Sequence, residues 1–289
     1  MRKWPVLATR VISIALVFLS WNPAAITPAG EKMRPELLVA KHLESIGTTD
    51  ARAAAKNRMM NGTAQVAFRL GSRGQLAGTA VILSEGHKFR LGMTFANQQY
   101  PGEQIAFDGK NVMAGTIRSG VRSNLDDFLY RYEYLLREGL IGRAASVGWF
   151  LLDMAGRAPK IQYSGLKNIE GRKLHELKYL GGKGAGSFQI LFYFDPATFR
   201  HVLSLYALRV PAYLAKTLPQ LTQDQLEGFY RVREEFSDFK TVNGLTLPHA
   251  YKLVLTIEGQ DQTFLADWNI VVAQALHNQA LDDRSFIVQ

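Results

Sequence analysis

The chain has 289 residues, 47% of them hydrophobic and 20% charged, with a formal net charge of +9 and no cysteine. Such a composition supplies enough apolar material for a packed core and excludes wholesale disorder. The missing thiol excludes disulfides, thiol catalysis, cysteine metal sites and lipidation at a lipobox.

Arg2, Lys3 and Arg10 make a basic start, an apolar run follows over 11–21, and Pro23, Ala24, Ala25, Thr27, Pro28 and Ala29 come next. A run of about 11 residues has the length of a signal h-region and falls short of the roughly 20 that span a bilayer. Residues 1–29 are therefore expected to be a cleavable secretory signal, cut after Ala25 or after Ala29, the latter favoured by the small side chains Thr27 and Ala29. Residues 30–289 are expected to form a single exported, soluble domain. Setting aside the three basic residues of the signal lowers the surplus of nine to six. The remaining charges form no long single-sign block, which argues against nucleic acid as a partner.

Pro35 and Glu36 suit a first helical turn, and Val39, His42, Leu43 and Ile46 form one apolar face that Gly47 ends. A second helical turn is predicted over 51–57, behind Thr49 and Asp50. Beyond Gly62 the period becomes two, with Ala64, Val66, Phe68 and Leu70 on one face. Strands are predicted over 76–84 and 88–95, and a hairpin of 105–107 with 112–117 turns at Asp108-Gly109.

Leu125, Phe128, Leu129, Tyr132, Leu135 and Leu136 then sit at helical spacing behind Ser123 or Asn124. A further helix is predicted over 141–155. It is apolar nearly all round, so it should be buried against the sheet. Strands resume over 161–166, 173–180, 187–194 and 199–208. An insert over 211–227 carries two prolines. Strands over 229–240 and 247–257 join at Val242-Asn243-Gly244, a last strand covers 262–273, and an apolar tail ends at Phe286, Ile287 and Val288. The pattern is α+β: about a dozen antiparallel strands and three or four helices.

The residues offer little chemistry. The glycine-rich stretch over 181–186 fails the P-loop spacing and lies between strands, so it reads as a hairpin loop. The six histidines never stand at metal-ligand spacing, and no serine has a nucleophile-elbow setting. Asp126 and Asp127 suit the first turn of a helix. Glu234 and Glu235 point to opposite faces of a strand, and Asp282 and Asp283 suit a solvated turn. No catalytic residue, metal or cofactor is predicted, and the chain is not expected to be an enzyme. What stands out is apolar load: Phe188, Ile190, Phe192 and Phe194 on one strand face, and the segment around Trp149 and Phe150. A sheet hollow lined with apolar groups and a filled core both account for it.

Local strings add a resemblance. Leu37-Leu38-Val39-Ala40-Lys41-His42-Leu43 with Ile46-Gly47, Phe194-Asp195-Pro196-Ala197-Thr198, Glu235-Phe236-Ser237-Asp238-Phe239, and the 242–248 stretch from Val242 to Pro248 occur in a characteristic order of elements. Together they resemble the periplasmic outer-membrane lipoprotein-sorting superfamily (LolA-like). The resemblance implies a strongly curved antiparallel sheet, an unclosed half-barrel of about a dozen strands, with helices covering the concave face. It also implies a non-catalytic periplasmic carrier or binder of lipid or lipoprotein acyl chains, working with membrane partners of the envelope. Trp149, Phe150, Phe188, Ile190, Phe192 and Leu255 are the candidates for lining its cavity. The alternative is a structural or interaction module of the envelope with the same fold and a filled core.

Overall fold

Twelve strands form one antiparallel sheet in the order β5-β4-β3-β2-β1-β12-β11-β10-β9-β8-β7-β6 among the described residues. The structure is a computed structural model, and it describes residues 33–71, 74–181, 188–210, 228–259 and 263–288. All of these belong to one unit, Met33–Gln289. The expected signal, most of the glycine-rich loop and the insert over 211–227 lie outside the described residues.

Two helices open the fold, α1 (Pro35–Ile46) and α2 (Thr49–Ala54). Pro35 stands in the first turn of α1, where its missing N–H costs nothing. The cap of α2 is Thr48, whose side chain accepts from Ala51 N, one residue before the expected position. The chain then enters β1 (Asn57–Leu70), followed by β2 (Gly74–Glu85), β3 (Lys88–Phe95), β4 (Gly102–Phe107) and β5 (Val112–Ala114). After a helical segment come β6 (Lys160–Ile169), β7 (Arg172–Leu180), β8 (Gln189–Phe194), β9 (His201–Val210), β10 (Gly228–Val242), β11 (Leu245–Glu258) and β12 (Thr263–His277).

Each strand pairs with its sequence neighbours, except that β5 and β6 do not pair with each other and β1 pairs with β12 as well as β2. The sheet is thus two meanders joined at its middle, and β5 and β6 are left as its edges. It does not close, and the architecture is an open half-barrel of the α+β class. Between Asn61 and Gly62 the β1–β12 register slips. A Cβ on Gly62 would lie 2.0 Å from Val271 O, so only glycine allows this close approach. Asn243 and Gly244, with φ of 51° and 77°, make the two-residue turn between β10 and β11 that the sequence predicts.

The segment between the two edge strands covers one face of the sheet. It holds α3 (Asn124–Arg131), α4 (Tyr134–Arg137), a 3-10 turn (Phe150–Asp153) and α5 (Met154–Arg157). The continuous helix expected over 141–155 is replaced by successive turns. Gly139 and Gly142 take φ of 73° and 71°, outside the helical region. The backbone bonds of this stretch run Arg143 N to Leu140 O, Ser146 N to Arg143 O and Phe150 N back to Gly139 O. The expected burial does hold, since Leu140, Ile141, Ala145, Trp149, Phe150 and Leu151 all join the main core. A segment apolar on every side and packed on several elements has no solvent face to impose a helical period. Arg143, itself buried, donates to His87 O and Gly148 O and stacks over Phe89 at 4.8 Å.

On β11 the residues Leu245, Leu247, Tyr251, Leu253 and Leu255 are all buried, while the intervening residues from Ala250 to Thr256 are half-buried. This alternation identifies the covered face. A smaller cluster of Leu174, Tyr193 and Leu203 forms separately.

Candidate functional site

A pocket of about 310 Å³ opens at one end of the covered face, near the bottom of β9, β10 and β11. Helix α1 supplies His42, Leu43 and Ile46, and α2 supplies Arg52 and Ala53. Arg58 comes from the start of β1, and Ala144, Trp149 and Leu152 come from the covering segment. His201, Phe236, Leu245 and Leu247 complete the sheet side. The volume lies at the lower end of the roughly 300–1,000 Å³ of small-ligand sites.

The inner wall is an aromatic box. His42 stands edge-on to Trp149 with ring centroids 5.0 Å apart, and Trp149 lies 4.9 Å from His201. Phe194 and Phe236 flank the two histidines. His42 Nδ1 donates to Phe199 O at 2.8 Å, and His201 Nε2 donates to Leu203 O at 3.0 Å. The other ring nitrogens, His42 Nε2 and His201 Nδ1, are buried without a partner among the described residues, as is Trp149 Nε1. Burial holds His42 down to about 4 and His201 well below the ordinary imidazole value, so both rings are neutral at pH 7. The α1 pattern marks the His42 face; nothing in sequence links it to His201, 159 positions away.

Trp149 is the one of the six expected cavity residues that lines this pocket. Phe150 packs on Trp149, Tyr179 and Phe192, with centroids 5.0 Å apart in the last pair. Ile190, Phe192 and Leu255 are fully buried in the main core. Phe192 lies behind the box, 5.7 Å from His201, while Leu255 lies further along the β11 face that carries Leu245 and Leu247. Phe188 is elsewhere, half-buried in a cluster with Phe128, Tyr132 and Tyr134.

Two buried acid clusters were not legible as such. Glu234 accepts from Gly142 N at 2.6 Å, Tyr251 Oη at 2.7 Å and Tyr206 Oη at 2.9 Å. It thereby ties β9, β10 and β11 to the covering segment. Burial raises its carboxyl above the usual range. Glu235, as expected, faces the other way and pairs with Arg233.

Asp126 and Asp127 both stand in the first turn of α3, as expected, and Asp127 pairs with Arg131 on the helix surface. Asp126 is buried beside Glu103, whose carboxylate receives the hydroxyls of Tyr100 and Ser123. Burial raises both acids, and two adjacent buried carboxyls hold a shared proton rather than ionise together. Neither acid lines the pocket. Among the described residues no three histidine, aspartate or glutamate side chains group as a metal site. No described helix is long and apolar enough to cross a membrane.

No family model matches the chain, and no curated protein does. Among solved structures it is similar to a LolA superfamily protein from Nitrosomonas europaea, at 10% identity and a TM-score of 0.43, over 89% of this chain and 99% of that one. A domain from Vibrio parahaemolyticus described as outer membrane lipoprotein-sorting is similar at 10% identity and 0.42, over 86% and 97%. A DUF1329 family protein from Desulfovibrio piger is similar at 10% identity and 0.39, over 87% and 96%.

Proposed function

We propose that the chain is an exported, non-catalytic carrier or binder of lipid acyl chains, working in the periplasm. The observation that carries this reading is the pocket between α1, the covering segment and the ends of β9 to β11, walled by Leu43, Ile46, Trp149, Leu152, Phe236 and Leu247. Each methylene taken from water into such a wall contributes about 0.8 kcal/mol, so a single acyl chain binds without covalent chemistry. Trp149 is the contact residue. Phe150 packs directly on Trp149 and Phe192 on Phe150, and a longer chain would reach these two, Ile190 or Leu255 only by displacing packed core. Phe188, in the separate aromatic cluster with Tyr132 and Tyr134, would take part only if the chain reached that cluster.

A second reading, an envelope interaction module with a filled core, draws on the complete burial of Phe150, Ile190, Phe192 and Leu255. Solvent extraction of the purified mature protein followed by mass spectrometry separates the two. The carrier reading expects co-purifying lipid, and an apolar fluorescent dye that fatty acid displaces. Absence of both leaves the filled-core module standing.

A further inference from the structure

The pocket is apolar on its walls but basic in its charge. Arg52, Arg58 and Arg200 line it, and no aspartate or glutamate does among the described residues. Arg52 donates to the carbonyls of Leu43 and Gly47 and to Thr49 Oγ1. Arg58 is buried and donates to Ala145 O at 2.6 Å and to His277 Nε2 at 3.1 Å. Arg200 lies over the Phe239 ring at 5.2 Å. Carbonyls, a neutral imidazole and an aromatic face satisfy guanidinium hydrogen bonds, but they do not cancel its charge.

None of the three guanidiniums meets a carboxylate among the described residues. This contrasts with Arg69, Arg131, Arg137 and Arg233, which all pair with acids elsewhere on the molecule. A buried cation without a counter-charge is costly, and a bound anion would offset that cost. Burial alone already lowers Arg58 to about 10, with no acid acting against it. Trp149 Nε1, buried and unpartnered among the described residues, adds a neutral donor to the same pocket.

We infer that the pocket is selective for an anionic amphiphile, its chain among Leu43, Trp149 and Phe236 and its carboxylate or phosphate head against Arg52, Arg58 and Arg200. The inference rests on the carrier reading and specifies the head that the carried chain bears. A guanidinium–anion contact is about twice as strong as a neutral hydrogen bond, and Arg matches carboxylate and phosphate geometry in two-point contacts. The two sources of such a head are a free fatty acid and an anionic lysophospholipid.

The test is a dye-displacement titration of the mature protein at pH 8 with four probes: hexadecanoate, hexadecanol, palmitoyl lysophosphatidylglycerol and palmitoyl lysophosphatidylcholine. The anionic member of each pair is expected to bind about tenfold more tightly than its uncharged or zwitterionic partner. High salt should narrow that ratio, as should Arg200→Gln and Arg52→Gln, each several-fold. Circular dichroism confirms that both variants fold, and Arg200→Lys should retain part of the preference. Whichever anion binds more tightly identifies the head as carboxylate or phosphodiester. Equal binding within each pair overturns the anionic inference and leaves the carrier reading intact. Binding of none of the four overturns both.

Discussion

At the scale of single residues, the molecule keeps several ionisable groups neutral by burial, and their signs differ. His42 falls from 6.5 to about 4 on folding. As pH drops from 7 toward 4, the unfolded chain takes up the proton first, so the native state loses stability over that window. Burial raises the adjacent Glu103 and Asp126 carboxyls above their ordinary range, so the contribution of that pair runs the other way and fades as pH rises. His42→Phe isolates the first effect. Guanidinium unfolding between pH 7 and pH 4.5 should give a slope shallower than wild type by about one proton, or about 1.4 kcal/mol per pH unit. An unchanged slope would mean that His42 is already charged in the fold. Sequence placed His42 on an apolar helical face, but the partners that make it unusual come from distant strands. Asp126 was placed in the first turn of its helix, but its pairing with Glu103 was not legible for the same reason, because Glu103 sits 23 positions earlier on another element.

At the scale of elements, the strands were the most legible part. Alternation on β1 and β8 and the Asn-Gly turn at 243–244 predicted strands and a hairpin that the sheet contains. The covering segment was legible in its burial and not in its form. Its conformation is set by tertiary bonds such as Gly142 N to Glu234, which no local pattern encodes. Glu234→Leu should test that tie. It strands Gly142 N and the hydroxyls of Tyr206 and Tyr251 in a buried site, at a cost of about 3–5 kcal/mol in urea or guanidinium unfolding. Glu234→Gln retains an acceptor and should cost less than half as much. Equal losses would show that negative charge, rather than hydrogen bonding, holds the segment.

At the scale of the whole molecule, a sheet whose first and last strands meet in the middle leaves two distant edges, β5 and β6. The chain that must connect those edges crosses the open face, and it brings Trp149 against His42 and His201. The pocket is a consequence of that crossing, which explains why the apolar load was visible in sequence and the pocket itself was not. Its residues come from α1, α2, β1, the covering segment and three late strands, and only the fold assembles them.

The central claim, that this pocket holds an acyl chain, is tested most directly by filling it. Ala144 is half-buried on the pocket wall, and Ala144→Trp places an indole in a space of about 310 Å³. Calorimetric titration with hexadecanoate should show saturable one-to-one binding to the wild type and at least a tenfold loss in Ala144→Trp, with both proteins melting within a few degrees of each other. Equal affinity in the two folded proteins, or no binding by the wild type, would contradict the account.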